Sequence, residues 1–314
     1  MITILDRNRN PLAILENTIQ PGYTKQNNQV WSASFTLPYT DPKRKYCQPF
    51  NYVEIRDNNK YIGLFRIIPS QTTINEQKIV KYELEHVLAT LLDDVLFQYH
   101  ERINLPTRDV LTYLLNRQTT KNWQLGTVSM TRYFSYKWEN ENLLSAIFSV
   151  PNPFDVQYRW TWNTESYPWT LNLVEAETEV SCEIRYAYNM RTIDLDDDPT
   201  GIVNRIYPLG YGEGDNQLNI KKVNGDVPYV EDKESIAKYG LHPYIWADKR
   251  FEDAKTLKAN AEGLLKDWRV PKVTIRASAA DISKITGRGI HELTEGKVVR
   301  LIHPDLGVIE QRIV

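Results

Sequence analysis

The sequence predicts a β-rich α+β protein of several domains. Aromatic residues make up 11% of the chain, with 19 tyrosines and 8 tryptophans, and these residue types favour strands. Alternating apolar and polar segments recur along the chain. Helical patterns interrupt them without a regular strand–helix–strand rhythm, which favours α+β over a doubly wound sheet. At 314 residues the chain is long for one compact core, so we expect two or more domains.

Alternation of apolar and polar residues predicts the strands in chain order. Residues 52–56 and 61–68 alternate, and the polar residues 57–60 between them are typical of a hairpin turn. Residues 157–162 alternate cleanly, and 169–174 follow as a plausible partner strand. Further strands are expected near residues 273–275, 297–302 and 308–314.

Four segments carry apolar residues at helical spacing. Thr107 is the predicted N-cap of the second helix, Pro151 and Pro153 stop the third, and the fourth is predicted from Glu252 to Trp268. We expect the apolar residues of each stripe to pack in the protein core and not to form a docking surface. The stripes are Val87, Leu88, Leu91 and Leu92; Val110, Leu111, Leu114 and Leu115; Leu143, Leu144, Ile147 and Phe148; and Leu257, Ala261, Leu264, Leu265 and Trp268.

Residues 201–240 hold the most informative pattern. The sequence GYGEGDN at 210–216 joins two predicted strands, and its glycine, asparagine and aspartate residues suit a tight connection. A loop and a short helix follow. Because a strand comes directly after the glycines, a hairpin explains them better than a phosphate-binding loop. The strand residues are Ile202, Val203, Ile206 and Tyr207, then Leu218 and Ile220.

Composition excludes several classes of protein. The net charge is −2, from 38 basic and 40 acidic residues, so nothing electrostatic indicates nucleic-acid or anionic-membrane binding. The basic run at residues 43–45 is explained by a solvated loop. The N-terminus does not have the pattern of a signal peptide, and no 18-residue apolar stretch predicts a membrane span. Two cysteines, Cys47 and Cys182, exclude a disulfide scaffold and a four-thiolate zinc site.

The sequence offers no convincing catalytic, cofactor-binding or metal-binding residues. The histidines show no metal-ligand spacing, and His86, at the start of a helix, is expected to be structural. Cys47 has basic neighbours but lies in a proline-flanked loop, and Cys182 lies in an ordinary strand. We therefore predict no nucleophile and no bound metal. The histidines are His86, His100, His242, His291 and His303.

Three further patterns allow a functional and a structural interpretation. Residues 194–198, DLDDD, could bind calcium but lack the EF-hand spacing, so an acidic turn before Pro199 is favoured. Trp160, Trp162 and Trp169 could form a sugar-binding platform, but rings in paired strands are more often core. Adjacent carboxylates such as Asp93 and Asp94 are not evidence for a glycosidase pair, because any chain with 40 acidic residues contains such neighbours.

Several blocks together resemble one protein family. With residues 201–240, they are similar to the N-terminal module of tail-tip proteins of siphophages and of prophages of Gram-positive bacteria. These proteins are described as phage minor structural proteins, tail-associated lysins or prophage endopeptidase tail proteins. Matches run in family order from about residue 50 to residue 290, and the first 50 residues fit less sharply. The blocks are LEHVL (84–88), LLDDVLF (91–97), NLLSAIF (142–148), YPWTLNLV (167–174), YG (239–240), IWADKR (245–250) and TL (256–257).

The resemblance implies an architecture. Members of the family are similar to the baseplate hub of contractile phages, in which two related β-barrel domains per subunit surround a channel, α/β domains are inserted, and three subunits form a ring. Mapped onto this chain, residues 1–95 would be the first barrel. Residues 96–186 with 226–270 would form a middle α+β region, and 187–225 with 271–314 the second barrel. Because the chain stops at Val314 within an apolar strand, we expect a fragment of a longer protein.

The resemblance also implies a function. The chain would be a structural hub at the tip of the virion tail, assembled in the bacterial cytoplasm as a homotrimer that caps or continues the tail tube. Its partners would be the distal tail protein ring, the tape-measure protein or tail tube, and receptor-binding or lytic extensions. No enzyme activity is expected of these residues. Two alternatives are a tail-associated peptidoglycan hydrolase, marked by a His/Cys/Asp cluster in one cleft, and a carbohydrate-binding module.

Overall fold

The structure, a computed structural model, describes residues 1–57, 60–73 and 78–314, with the side chains of 69–73 and of residue 215 outside the description. The predicted turn residues Asn58 and Asn59 lie outside the described residues.

The strands of the described chain are Ile2–Leu5 (β1), Pro11–Leu15 (β2), Ile19–Thr24 (β3), Ser32–Pro38 (β4), Tyr52–Asp57 (β5), Lys60–Thr73 (β6), Ile79–His86 (β7), Val95–Pro106 (β8), Trp123–Val128 (β9), Tyr133–Asn142 (β10), Tyr158–Asn163 (β11), Trp169–Glu175 (β12), Val180–Arg185 (β13), Met190–Asp198 (β14), Arg205–Leu209 (β15), Val230–Glu231 (β16), Pro243–Ala247 (β17), Lys272–Ala279 (β18), Val298–His303 (β19) and Gly307–Arg312 (β20). The α-helices are Thr107–Leu115 (α1), Leu143–Ser149 (α2), Lys233–Tyr239 (α3), Ala254–Trp268 (α4) and Ser283–Thr286 (α5), with 3-10 helices at Pro42–Tyr46, Val87–Leu92, Pro199–Gly201, Gly214–Asn216, Lys221–Val223 and Gly289–His291.

A seven-stranded antiparallel sheet occupies the N-terminal part of the chain, in the order β2-β1-β5-β6-β7-β4-β3. The predicted hairpin is confirmed, because β5 and β6 pair up to Asp57 opposite Lys60. The alternation of β7, in which every second side chain is buried, is the pattern of a strand with one face on a core. The first 50 residues, where no strand was predicted, supply β1 to β4.

A second core is built around tryptophans. The predicted strand pair is confirmed as the antiparallel pair β11–β12, and β9 joins β12 in parallel. The 3-10 helix Val87–Leu92, α1 and α2 bring their buried stripes to the same cluster as Trp123, Trp160 and Trp169. Beside it, β8 and β10 pair as a two-stranded sheet.

The C-terminal half contains three smaller sheets. In the first, β15 lies between β16 and β17, and the predicted long helix α4 packs Leu257, Ala261 and Leu265 against it. In the second, β19 lies between β13 and β20. The third is the two-stranded pair β14–β18. The predicted β-rich, multi-domain α+β fold is thus confirmed, whereas the proposed domain boundaries stay a prediction.

Three details of the predicted helices are wrong. Thr107 is not an N-cap: Pro106 holds that position, and the Thr107 hydroxyl donates to the Arg132 carbonyl oxygen at 3.2 Å. Leu92 is 41% exposed, because the segment is a 3-10 helix that ends at Leu92 and turns it outward. The long helix begins at Ala254, where the Asp253 carboxylate accepts the Thr256 amide N–H at 2.8 Å and caps the helix.

Two predictions about loops and strands are also wrong. The strand before the glycines begins only at Arg205, and the predicted strand after them is a single bridge between Leu209 and Asn219, followed by a 3-10 turn. The acidic run at 194–198 is not a turn but the end of β14. Its residues pair with β18, so the side chains of Asp194, Asp196 and Asp198 lie on the face that carries Arg276 and Lys272.

The helices of the described residues include none that is long and apolar enough to cross a membrane.

Candidate functional site

The sequence block at residues 84–97 contains His86, whose contacts hold the 3-10 helix Val87–Leu92 in place. His86 is fully buried and caps the 3-10 helix, since its Nδ1 accepts the Leu88 amide N–H at 3.1 Å. Burial lowers the pKa of His86 to about 3, so the ring is neutral near neutral pH. These contacts support the predicted structural role of His86.

Arg66, which the sequence reading did not single out, ties that helix to the N-terminal sheet. Its buried guanidinium donates to Glu85 Oε1 at 2.6 Å on the neighbouring strand, to the Ala89 carbonyl oxygen at 3.2 Å and to both carboxylate oxygens of Asp93. Glu85 and Asp93 thus bond one buried cation, and the Asp94 carboxylate accepts the Thr119 amide N–H at 2.9 Å. The odd charge in an apolar strand was the only sequence signal for it.

Neither cysteine has the setting of a nucleophile. Both thiols are buried. Burial raises the pKa of Cys47 to about 12, with Asp41 adding to the effect and the basic Arg44 opposing it. Burial also raises the pKa of Cys182, which lies in β13. A thiol becomes reactive as its thiolate, so both positions are inert packing residues.

The remaining histidines are dispersed and locally bonded. His100 bonds the Tyr113 hydroxyl at 2.6 Å, and His291 bonds the Thr286 hydroxyl at 2.7 Å. His242 contacts the Tyr239 carbonyl oxygen, and His303 lies 3.9 Å from Asp305. Within residues 1–57, 60–73 and 78–314 no group of three His, Cys, Asp or Glu side chains could hold a metal ion.

The glycine block is held by backbone contacts. Gly210 lies so close to its neighbours that a Cβ there would be 2.5 Å from the Phe251 carbonyl oxygen, an oxygen that also accepts the Tyr211 amide N–H at 2.8 Å. Asn204, fully buried, bonds the Gly240 carbonyl oxygen and the His242 amide, each at 2.7 Å. These contacts connect the start of β15 to the α3–β17 loop, and sequence reasoning missed Asn204.

The tryptophans are mainly core, as predicted. Trp160 and Trp169 are almost fully buried, and Trp160 stacks on Phe148 with ring centroids 5.1 Å apart. Trp162 is half-buried and contacts Trp31. The three rings do not form an exposed platform.

Two exposed β-ribbons are the main candidate surfaces for assembly. The β14–β18 ribbon has an apolar face on which Leu195 is 46% and Val273 is 54% exposed, next to Ile193 and Ile275. The β8–β10 ribbon exposes Val95, Phe97, Tyr99, Ile103 and Tyr133. A two-stranded ribbon is marginal in water by itself, and its free edges can pair with another chain.

Comparison with known proteins shows the family to which the chain belongs. Three family profiles follow one another along the chain: the prophage endopeptidase tail N-terminal domain at residues 2–84, the prophage endopeptidase tail domain at 94–167, and the prophage endopeptidase tail profile at 177–314. The chain belongs to the prophage endopeptidase tail family, and it is a component of a virion tail. No curated protein matches its sequence.

Solved structures share the fold over nearly the whole chain. Prophage tail protein gp18 from Listeria monocytogenes EGD-e has a TM-score of 0.65 at 17% identity, covering 100% of this chain and 88% of that one. The tail protein from Neisseria meningitidis MC58 has a TM-score of 0.67 at 13% identity, covering 99% and 88%. The 43 kDa tail protein of prophage MuSo2 from Shewanella oneidensis has a TM-score of 0.66 at 10% identity, covering 98% and 90%. At such low sequence identity, the similarity to these structures shows a shared fold.

Proposed function

We propose that this chain is a hub at the tip of the tail: three copies form a ring that caps or continues the tail tube and anchors host-recognition or lytic extensions. Its neighbours in the virion would be the distal tail protein ring on one side and the tube or tape-measure protein within. The proposed division into a first barrel (1–95), a middle region (96–186 with 226–270) and a second barrel (187–225 with 271–314) belongs to the same hypothesis.

The two exposed ribbons are the observation that supports the proposed ring of three copies. The β14–β18 ribbon leaves apolar side chains partly in water on one face, β8–β10 exposes several apolar side chains beside the charged pair Glu101–Lys137, and neither ribbon has a further strand paired at its outer edges. Association of copies would bury these exposed apolar side chains and pair these edges. Closed symmetry is the usual outcome for identical chains that assemble in this way.

The proposal assigns no reaction to these residues. Both thiols are buried, with raised pKa values, and the described histidines each serve a local contact. A lytic activity of the parent protein would then belong to residues outside this chain. Digestion of purified cell walls by the chain alone would contradict this part of the proposal.

Electron microscopy of the purified chain tests the ring directly. We expect class averages of a particle with threefold symmetry and a central channel. Compact single-copy particles at every concentration that allows imaging would contradict the proposal.

A further inference from the structure

The sheet β13-β19-β20, here called the C-terminal sheet, has a small apolar core of its own. Every described residue of this core lies between residues 182 and 313. The N-terminal sheet, in contrast, shares apolar packing with the tryptophan core, since Leu64 of β6 belongs to that core and Tyr52 meets Trp169 with ring centroids 5.7 Å apart. The fully or nearly buried residues of the C-terminal core are Cys182, Ile184 and Val299.

A cavity of about 690 Å³ lies between the C-terminal sheet and the N-terminal sheet. Ile62 lines it from the N-terminal sheet, and Leu293 and Ile313 line it from the C-terminal part of the chain. Lysine and acidic side chains line it from both parts as well. Because cavities of this size with polar walls hold water, water and not close apolar packing fills this part of the junction.

Two ion pairs cross the junction, and we call them the clasp. Lys60 Nζ on β6 lies 2.5 Å from Glu292 Oε1, with the two side chains 56% and 37% exposed. Arg159 Nη2 on β11 donates to the Glu295 carbonyl oxygen at 2.6 Å and lies 3.5 Å from its carboxylate. The bond to Glu292 raises the pKa of Lys60 and lowers that of Glu292, so both stay charged. Exposed ion pairs are weak and are screened by salt.

The C-terminal sheet is connected to the rest of the chain by one short linker and by the β14–β18 ribbon. Residues 177–179, between β12 and β13, are exposed and belong to neither strand. The ribbon has two strands, and most of its side chains are exposed. Arg312 adds one polar contact, from its Nη2 to Gln157 Oε1 at 3.1 Å. Short loops and the ends of such elements are the positions at which hinges form.

We propose that the C-terminal sheet is a separately moving unit, which the clasp holds docked and which salt releases. The ion pairs exist only in the docked state, so they favour it over an undocked state in which the same charges are solvated. Screening removes that difference as the ionic strength rises. Residues 177–179 and the ends of the ribbon would be the hinges. This inference depends neither on the ring of three copies nor on a position at the tail tip.

Pulsed electron paramagnetic resonance between spin labels on introduced cysteines measures the docking. The reporter pair is Lys81→Cys on β7 with Asp305→Cys in the β19–β20 turn, both exposed positions. The reference pair combines Lys81→Cys with Asp109→Cys on α1, across the apolar junction. Cys47 and Cys182 are buried and stay unlabelled. Labelled chain is diluted in excess unlabelled chain, so that distances within one copy are measured.

One charge reversal and a matched control separate the clasp from general effects of charge. Lys60→Glu places a second carboxylate beside Glu292 and should release the sheet without added salt. Lys249→Glu makes the same change of charge at a similarly exposed lysine, which pairs with Glu213 outside the clasp. Circular dichroism melts identify a variant that fails to fold, and in that case the salt series of the wild-type chain decides alone.

We expect one narrow reporter distance at about 20 mM NaCl and a second, shifted population at least about threefold larger at about 1 M, because the Debye length falls from about 20 Å to about 3 Å. Lys60→Glu should show that population already at low salt, Lys249→Glu should not, and the reference distance should stay constant. A reporter distance that does not respond to salt overturns the proposal. So does a Lys60→Glu variant that behaves like Lys249→Glu, or equal broadening of the reporter and reference distances, which would indicate general unfolding.

Discussion

Individual buried polar residues determine how the parts of this chain are connected. His86, Arg66 and Asn204 are each buried, and each bonds backbone or charged groups of a neighbouring element. A buried polar group that loses its partner costs about 1–3 kcal/mol. Stability should therefore respond to these residues more than to the many surface charges.

We expect His86 to make stability depend on pH. Its pKa is lowered to about 3 in the folded chain from 6.5 in the unfolded one. Between these values the unfolded state binds the extra proton, so the free energy of unfolding falls as pH decreases, by up to about 1.4 kcal/mol per pH unit. Urea denaturation from pH 6.5 to 4.5 measures this slope. His86→Gln should flatten it, and His100→Gln, a partly exposed control, should not; an equal slope in both variants would refute the assignment.

Arg66→Ala should destabilise the chain by about 1–3 kcal/mol, because it removes a buried guanidinium that bonds Glu85, Asp93 and the Ala89 carbonyl oxygen. Denaturant unfolding at neutral pH measures the loss. The control is Arg300→Ala, which breaks the exposed pair with Glu310 and should cost less than about 1 kcal/mol. Equal effects of the two substitutions would mean that the Arg66 cluster carries no special stability.

At the scale of elements, the glycine block depends on close backbone approach. Gly210→Ala would place a Cβ 2.5 Å from the Phe251 carbonyl oxygen, which forces the two segments apart, and we expect a loss of about 1–3 kcal/mol. Gly201→Ala is the control, because no atom lies within 4 Å of its added Cβ; its effect should stay within about 0.5 kcal/mol. Thermal melts compare the two, and a wild-type melting temperature for Gly210→Ala would contradict this reading of the block.

The β14–β18 ribbon makes an element-scale prediction about assembly. The double variant Leu195→Lys, Val273→Lys charges its exposed apolar face, and we expect association to weaken at least tenfold, about 1.4 kcal/mol, while the melting temperature of the single chain is kept. Sedimentation velocity across a concentration series measures this. Ile285→Lys is the control, since Ile285 is 86% exposed and lies outside both ribbons. Unchanged association in the double variant would exclude this face from the interface.

Strong periodicity located part of the fold, whereas β1 to β4, β7 to β10, β14, β16 and β17 were not predicted. The alternation of β5, β6, β11 and β12 and the stripes of α1, α2 and α4 located them from sequence. The predictions that failed concern segments whose secondary structure depends on contacts with residues distant in the sequence. Residues 217–220 lack the neighbours that would extend a bridge into a strand, and residues 194–198 join a strand because β18, nearly eighty residues later, pairs with them.

On the scale of the whole molecule, the chain combines well-packed cores with ribbons that are under-packed when a single copy stands alone. The cores around Phe65, Trp169 and Leu257 are fully buried, whereas Phe97 and Ile103 remain more than 60% exposed on their ribbon. Large exposed apolar side chains on extended edges are a hazard unless a partner covers them. The proposed ring accounts for these exposed side chains, because copies of the chain would cover one another in it.

The mass of the chain in solution tests that account most directly. Multi-angle light scattering across a concentration series should give a species of three times the 36.7 kDa of one chain, with the share of trimer rising as concentration increases. A species that keeps the mass of a single chain at every concentration would contradict the central claim that these copies assemble into a ring by themselves.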